Sequence, residues 1–330
     1  MEHIQAVRFE QSGGPEVLYL GEIPALEAGP NEILVSVSAS ALNRADTLQR
    51  KGKYPPPPGA SQILGLEMSG TVIGIGTAVK KWAIGDQVCG LLPGGGYAAQ
   101  VVIHEDLAMS VPSNVHLVEA AAIPEVFLTA WQAIHLLADL QAGEKILIHA
   151  GGSGVGTAAI QIARELGAEI FVTASAGKHA RCYALGAHHC IDYRTDDFRE
   201  IVMNQTAGQG VDIIIDFLAA PYFQQNIDSL ALDGRMIMLA LMGGIAAQHI
   251  NLVNILRKRL RIQGSTLRNR SLAYKIALTQ SFSNFAQDRW ESKALKPVID
   301  SVFSWEAVAE AHSYMEANQN IGKIVLQIGG

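Results

Sequence analysis

"HAGGSGVGTAAIQIA", residues 149–163, places four glycines in a six-residue turn and follows them with small and apolar residues at helical spacing. The apolar run "KILIHA" (145–150) precedes it and reads as a buried strand. The amphipathic "VGTAAIQIAREL" (155–166) follows it and is closed by Gly167. Strand, glycine turn and helix in that order give a glycine cluster its meaning. The open N–H groups and positive dipole end of the helix favour a diphosphate, and residues without side chains let a dinucleotide approach the backbone. In the G-x-G-x-x-G spacing Gly151 takes the first place, Ser153 the second and Gly156 the third, with Gly154 and Val155 between. Serine is small enough to stand there and adds a hydroxyl able to bond a phosphate or ribose oxygen.

Outward from this turn the chain alternates strand and helix. Six strand candidates follow one another: "KILIHA", "EIFVTAS" (169–175), "HCIDY" (189–193), "VDIIIDFL" (211–218), "RMIMLAL" (235–241) and "RIQGSTL" (261–267). Strands apolar nearly throughout, joined by helical stretches, predict a parallel sheet covered on both faces, and six of them predict a full doubly wound α/β nucleotide fold. Residues 1–121 instead carry short β-type runs broken by turn residues and read as a β-rich lobe. The rhythm changes at "LVEAAAIPEVFLTAWQAIHLLADL" (117–140), so the nucleotide domain is placed at 122–267. The segment 268–330 holds too few strands to fold alone, and it is expected to return and complete the first lobe.

The second strand, "EIFVTAS", ends where an NAD-preferring fold places a carboxylate for the ribose 2′-OH. Here the tip is Ser175, Ala176, Gly177, Lys178, and a lysine suits a 2′-phosphate, so NADPH is the expected coenzyme.

Composition bounds the rest. The 330 residues are 49% hydrophobic and 17% charged with net charge −6, which predicts two buried cores and no broad basic footprint for nucleic acid or an anionic membrane. The basic run "RKRLR" (257–261) reads as a helix end. The N-terminus lacks a signal-peptide layout and no long uninterrupted apolar run is evident, so a cytoplasmic protein is expected. Cys89, Cys182 and Cys190 form no CxxC and no even framework, and they read as reduced packing residues.

Seven stretches carry a further likeness: "ALNRADTLQRKGKYPPPPGAS" (41–61), "LGLEMSGTV" (64–72), "IGDQVCGLLPGGGYA" (84–98), "AAAIPEVFLTAW" (120–131), "ILIHAGGSGVGTAAIQIA" (146–163), "LGAHHCIDYR" (185–194) and "NIGKIVL" (320–326). With them the chain resembles, over essentially its whole length, the zinc-free quinone oxidoreductase branch of the medium-chain dehydrogenase/reductase superfamily. Within that branch Ser153 and the context of Tyr54 are most similar to the p53-inducible NADPH quinone oxidoreductase subgroup. The resemblance implies a GroES-like catalytic domain, a Rossmann domain and an acceptor cleft between them. It also implies a homodimer formed through the edge strand 261–267.

Residue by residue, the resemblance implies that Gly151, Ser153, Gly154, Val155 and Gly156 hold the pyrophosphate. Ser175, Lys178 and Tyr193 are implied for the 2′-phosphate, and Thr129, Leu241, Gly243, Leu267 and Asn320 for the ribose and nicotinamide. Zinc-dependent relatives have a Cys at the place of Asn43, a His at the place of Leu66 and a Cys near Glu125. The residues present supply at most one good donor, so no metal is expected.

An enzyme without a Lewis acid is suited to an acceptor that is already electrophilic: a quinone first, an enone or enoyl thioester as the alternative. A protein that binds NADPH but serves a structural or RNA-binding role is the third reading. Tyr54, stiffened by the prolines at 55–58, is the expected partner of the acceptor oxygen. Asn43 and Asp46 are expected either to bond acceptor or water or to cap the local helix.

Overall fold

The computed structural model describes residues 2–329, which divide into two compact units: the chain up to Leu128 together with Leu267 onward, and Thr129–Thr266. In the first unit β1 (His3–Arg8) and β2 (Tyr19–Pro24) form an antiparallel pair. The next strands are β3 (Glu32–Ala41), β4 (Glu67–Ile75), β5 (Gln87–Leu91), β6 (Gln100–His104) and β7 (Ala108–Ser110). Along β3 the residues Ile33, Val35 and Val37 are buried while Ser36 and Ser38 are more exposed. This period-two pattern lets one face of the sheet meet the core.

The second unit contains β8 (Lys145–Ile148), β9 (Glu169–Ala174), β10 (His189–Asp192), β11 (Val211–Asp216), β12 (Leu230–Met238) and β13 (Arg261–Gly264). They form one sheet in the order β10-β9-β8-β11-β12-β13, with every pairing parallel. The central residues Ile146, Leu147, Ile148, Ile213, Ile214 and Ile215 are fully buried, as a sheet covered on both faces requires. The reversal of order at β8 and β11 makes a topological switch point at the glycine turn. The architecture is therefore α/β, with a six-stranded Rossmann sheet and a separate β-rich unit.

The tail then supplies β14 (Ile299–Ser304) and β15 (Lys323–Gln327) to the first unit. There β15 lies antiparallel to β3 with Val325 opposite Ala41. The division between the units falls at Leu128 and Thr129 rather than at residue 121. Ala121 and Ala122 pack with Ala39, Ala41 and Val325, and Phe127 stacks on Phe282 with Trp290 edge-on, which fastens this stretch to the first unit.

Among the described residues one helical run, Leu117–Leu137, is long and apolar enough to cross a membrane. Its most apolar window is 72% buried inside the protein, so core packing accounts for its composition. The basic run at 257–261 is tied internally: Lys258 Nζ donates to the carbonyls of Asp228 and Leu230, and Arg259 pairs with Asp233.

Candidate active site

The glycine turn sits at the carboxyl end of β8 and opens the helix Gly154–Glu165. Ala150 enters it with φ of 50°, a left-handed conformation that a residue with a side chain adopts at a cost. A Cβ on Gly156 would lie 2.3 Å from the Ala150 carbonyl oxygen and 2.8 Å from Gly151 Cα, so only glycine lets the helix start this close to the strand. Ser153 is the N-cap of the helix, its Oγ accepting from Gly156 N–H at 3.0 Å. The hydroxyl oxygen thus caps the helix start, and its O–H proton is left to donate elsewhere. Beneath the turn His149 contacts Thr173 Oγ1 through Nδ1 (2.9 Å) and Asn226 Oδ1 through Nε2 (2.7 Å), tying β8 to β9 and to the helix Phe223–Ser229. Burial pushes this imidazole below its ordinary value, so it acts as a neutral brace.

Ser175 is the N-cap residue of the helix Ala176–Leu185, which follows β9. A Cβ on Gly152 would meet Lys178 Cδ at 2.6 Å, so the aliphatic stem of Lys178 lies against the glycine turn. Tyr193, just past β10, is 45% exposed at the same end of the sheet. One feature there was not legible from the tip of β9 alone. Asp192 pairs in register with Ala174, and its carboxylate accepts from Ala176 N–H at 3.2 Å and from Arg194 N–H at 3.0 Å. Leu241 and Gly243 follow β12, the first half-exposed and the second donating its N–H to Leu218 O at 2.9 Å. The carboxyl ends of β8, β9, β10 and β12 thus carry the expected coenzyme residues of this unit apart from Thr129, which lies on the helix Pro124–Trp131.

These residues fit a dinucleotide. The turn is closed to side chains, its helix start is capped, a lysine stem rests on it, and Thr129 Oγ1 is buried with no hydrogen-bond partner among the described residues. Leu267 and Asn320 belong to the first unit, where Leu267 is buried and Asn320 Nδ2 donates to Gly322 O at 2.7 Å.

The first unit gathers the remaining polar residues. Asn43 precedes the helix Arg44–Arg50, and its N–H donates to Asp46 Oδ2 at 2.8 Å. Asp46 Oδ1 accepts from Gly65 N–H at 3.0 Å, and Tyr97 O–H reaches Asp46 Oδ2 at 3.3 Å. Burial pushes the Asp46 carboxyl up to about 6. Through Asn43 N–H, Asp46 closes the capping box of the helix start, while its other oxygen holds Gly65.

Asn43 Nδ2 donates to Glu67 Oε1 at 2.9 Å, and Asn43 Oδ1 accepts from Lys323 Nζ at 2.7 Å. Lys323 and Glu67 form an ion pair at 2.7 Å with side chains 3% and 0% exposed. Tyr54 is half-buried, with the Arg268 guanidinium 5.3 Å from its ring centre. Burial raises the phenol above its ordinary value, so it stays a donor. Arg268 in turn donates to Pro93 O (2.8 Å) and Gln49 Oε1 (2.7 Å), which fixes the guanidinium beneath the ring.

The donor set does not suit a catalytic zinc, since Asn43, Leu66 and Glu125 offer one carboxylate. Among the described residues no group of three His, Cys, Asp or Glu side chains is placed to hold a metal ion.

Comparison with known proteins agrees with both units. Residues 29–113 match the alcohol dehydrogenase GroES-like domain and residues 185–326 match the zinc-binding dehydrogenase family. The chain is 31% identical over 333 residues to the mycocerosic acid synthase-like polyketide synthase of Mycobacterium tuberculosis, covering 99% of this chain. It spans only 10% to 16% of the length of such curated polyketide synthases.

Among solved structures it is similar to CurK enoyl reductase, at 29% identity and TM-score 0.88 over all of both chains. The quinone oxidoreductase of Pseudomonas syringae pv. tomato DC3000 matches at 28% identity and TM-score 0.86, over 98% of this chain and 99% of that one. An NAD-dependent alcohol dehydrogenase matches at 33% identity and TM-score 0.87, over 99% of this chain and all of that one. A parallel nucleotide sheet beside a GroES-like unit, matched end to end at that identity, makes the chain an oxidoreductase that belongs to the medium-chain dehydrogenase/reductase superfamily.

Proposed function

We propose that the protein is an NADPH-dependent, zinc-independent quinone oxidoreductase of the p53-inducible subgroup. The observation that carries this reading is a site built from Tyr54, Arg268, Asn43 and Glu67 where zinc-dependent relatives need metal donors. When bound, the reduced nicotinamide supplies a hydride. A quinone is electrophilic without metal activation, because the charge it gains is delocalised into an aromatic product. Tyr54 O–H orients the acceptor oxygen, Arg268 keeps the ring in place, and Asn43 is locked by its bonds to Glu67 and Lys323. The edge of β13 and the exposed Ile245, Leu252 and Leu256 on the segment before it support pairing with a second copy.

The similarity to CurK enoyl reductase and to polyketide synthases favours a second reading, reduction of an enone or enoyl thioester. NADPH oxidation measured with 1,2-naphthoquinone, with an α,β-unsaturated ketone and with an enoyl thioester separates the two. Turnover confined to the thioester overturns the quinone assignment.

Two substitutions probe the residues. Lys178→Ala removes one charge-assisted bond to the 2′-phosphate, which is about 1.5–3 kcal/mol, and should raise KM for NADPH by about ten- to a hundredfold while leaving KM for NADH unchanged. Equal effects on the two coenzymes would refute the phosphate role of Lys178, which the Asp192 carboxylate at the head of the same helix opposes. Tyr54→Phe should lower kcat for the quinone by about tenfold, one neutral hydrogen bond, with the coenzyme Kd unchanged. Equal kcat in the variant removes the phenol from the reaction.

A further inference from the structure

Glu125 stands in the first turn of the helix Pro124–Trp131, and its N–H donates to Glu67 Oε2 at 2.8 Å. The other oxygen of Glu67 is held by Lys323 Nζ and Asn43 Nδ2. Facing Glu125 are Glu67 from β4, Asp46 from the helix Arg44–Arg50, Lys323 from β15, Arg268 beyond β13, Lys275 from the helix Leu272–Glu291 and Tyr54 from the proline loop. Lys323 is committed to Glu67, and the Glu125 carboxyl oxygens make no hydrogen bond among the described residues although the residue is partly exposed. Two carboxyls beside one committed ammonium do not both ionise, and the one without hydrogen bonds keeps its proton. Burial first, then Glu67, pushes Glu125 up to about 8, with Asp46 adding and Lys323 and Arg268 opposing.

We propose that the Glu125 carboxyl is the acid that protonates the acceptor oxygen. This rests on the site reducing a quinone or an enone. Addition of a hydride leaves the electron pair of the acceptor's π bond on its oxygen. The Glu125 O–H bond breaks as an O–H bond forms on that oxygen, and water returns a proton to the carboxylate. Hydride and proton together convert a quinone to its hydroquinone. Tyr54 is the weaker acid of the two, its value raised above 10.0, whereas a donor poised near neutrality transfers a proton with the smaller mismatch.

The test compares wild type, Glu125→Gln and Glu125→Asp. Wild-type kcat with 1,2-naphthoquinone should fall as pH rises through about 8. Glu125→Gln should lose about a hundredfold in kcat, within the general-acid range, and lose that alkaline limb, with KM for NADPH unchanged. Glu125→Asp should restore part of the rate and the limb.

A second readout needs no coenzyme. The folded value of Glu125 lies above its ordinary 4.5, so its contribution to stability is full below 4.5 and is lost as pH rises through about 8. Wild-type Tm should therefore fall relative to Glu125→Gln as pH rises through about 8, and Asp46, which titrates near 6, is common to both proteins and cancels in the difference. A Tm difference independent of pH, or a Gln variant that keeps wild-type kcat and its limb, overturns the proposal. A wild type that reduces neither quinone nor enone sinks the reading of the site, and the donor role with it. That failure is distinguishable because failure of Glu125 alone leaves wild type active.

Discussion

Lys323→Met is expected to cost about 3–5 kcal/mol of stability, the penalty for leaving one partner of a buried ion pair uncompensated. Lys323 meets Glu67 at 2.7 Å with both side chains almost wholly excluded from solvent, and it also donates to Leu42 O and Asn43 Oδ1. Its loss strands a carboxylate at the centre of the first unit and frees the Asn43 side chain. Urea unfolding at neutral pH measures the loss. Adding Glu67→Gln removes the stranded charge and keeps one oxygen for Glu125 N–H, while the Asn43 amide, released by Lys323, can turn its oxygen to the new NH2, so the double variant should recover most of it. A double variant no more stable than the single one would show that the charge is not the cause.

Gly156→Ala is expected to abolish useful coenzyme binding, raising Kd for NADPH more than about a hundredfold, the worth of two or so backbone donors to an anion. The new Cβ meets backbone atoms of Ala150 and Gly151, which have no rotamer by which to yield. The helix start must move off the strand, carrying its N–H groups away from the diphosphate. Overpacking of this kind also costs about 1–3 kcal/mol of stability. Gly177→Ala is the control for stability: its Cβ meets nothing within 4 Å, so Tm should hold or rise. Fluorescence titration with NADPH and a thermal scan of both variants read the result. Unimpaired binding by Gly156→Ala would mean that the turn is not the cradle.

The six Rossmann strands were legible because a parallel strand buried on both faces is written locally, as an apolar run between turn residues. "VDIIIDFL" needs no partner to declare itself, and β11 occupies Val211–Asp216. The glycine turn was legible for the same reason. The capping role of Ser153 was not: only the placement of Gly156 N–H at 3.0 Å from its Oγ shows that the hydroxyl oxygen holds the helix start. Asp192 escaped notice because it reaches the head of the β9 helix from the neighbouring strand.

The sequence by itself determined a doubly wound α/β fold with a glycine turn at its switch point, since period and glycine spacing are properties of adjacent residues. Only the tertiary structure decided which carboxyls share Lys323, and hence that Glu67 is paired while Glu125 keeps a proton. The physical reason is that protonation follows burial and through-space charge, and β4, the helix Pro124–Trp131 and β15 bring those charges together from distant parts of the chain.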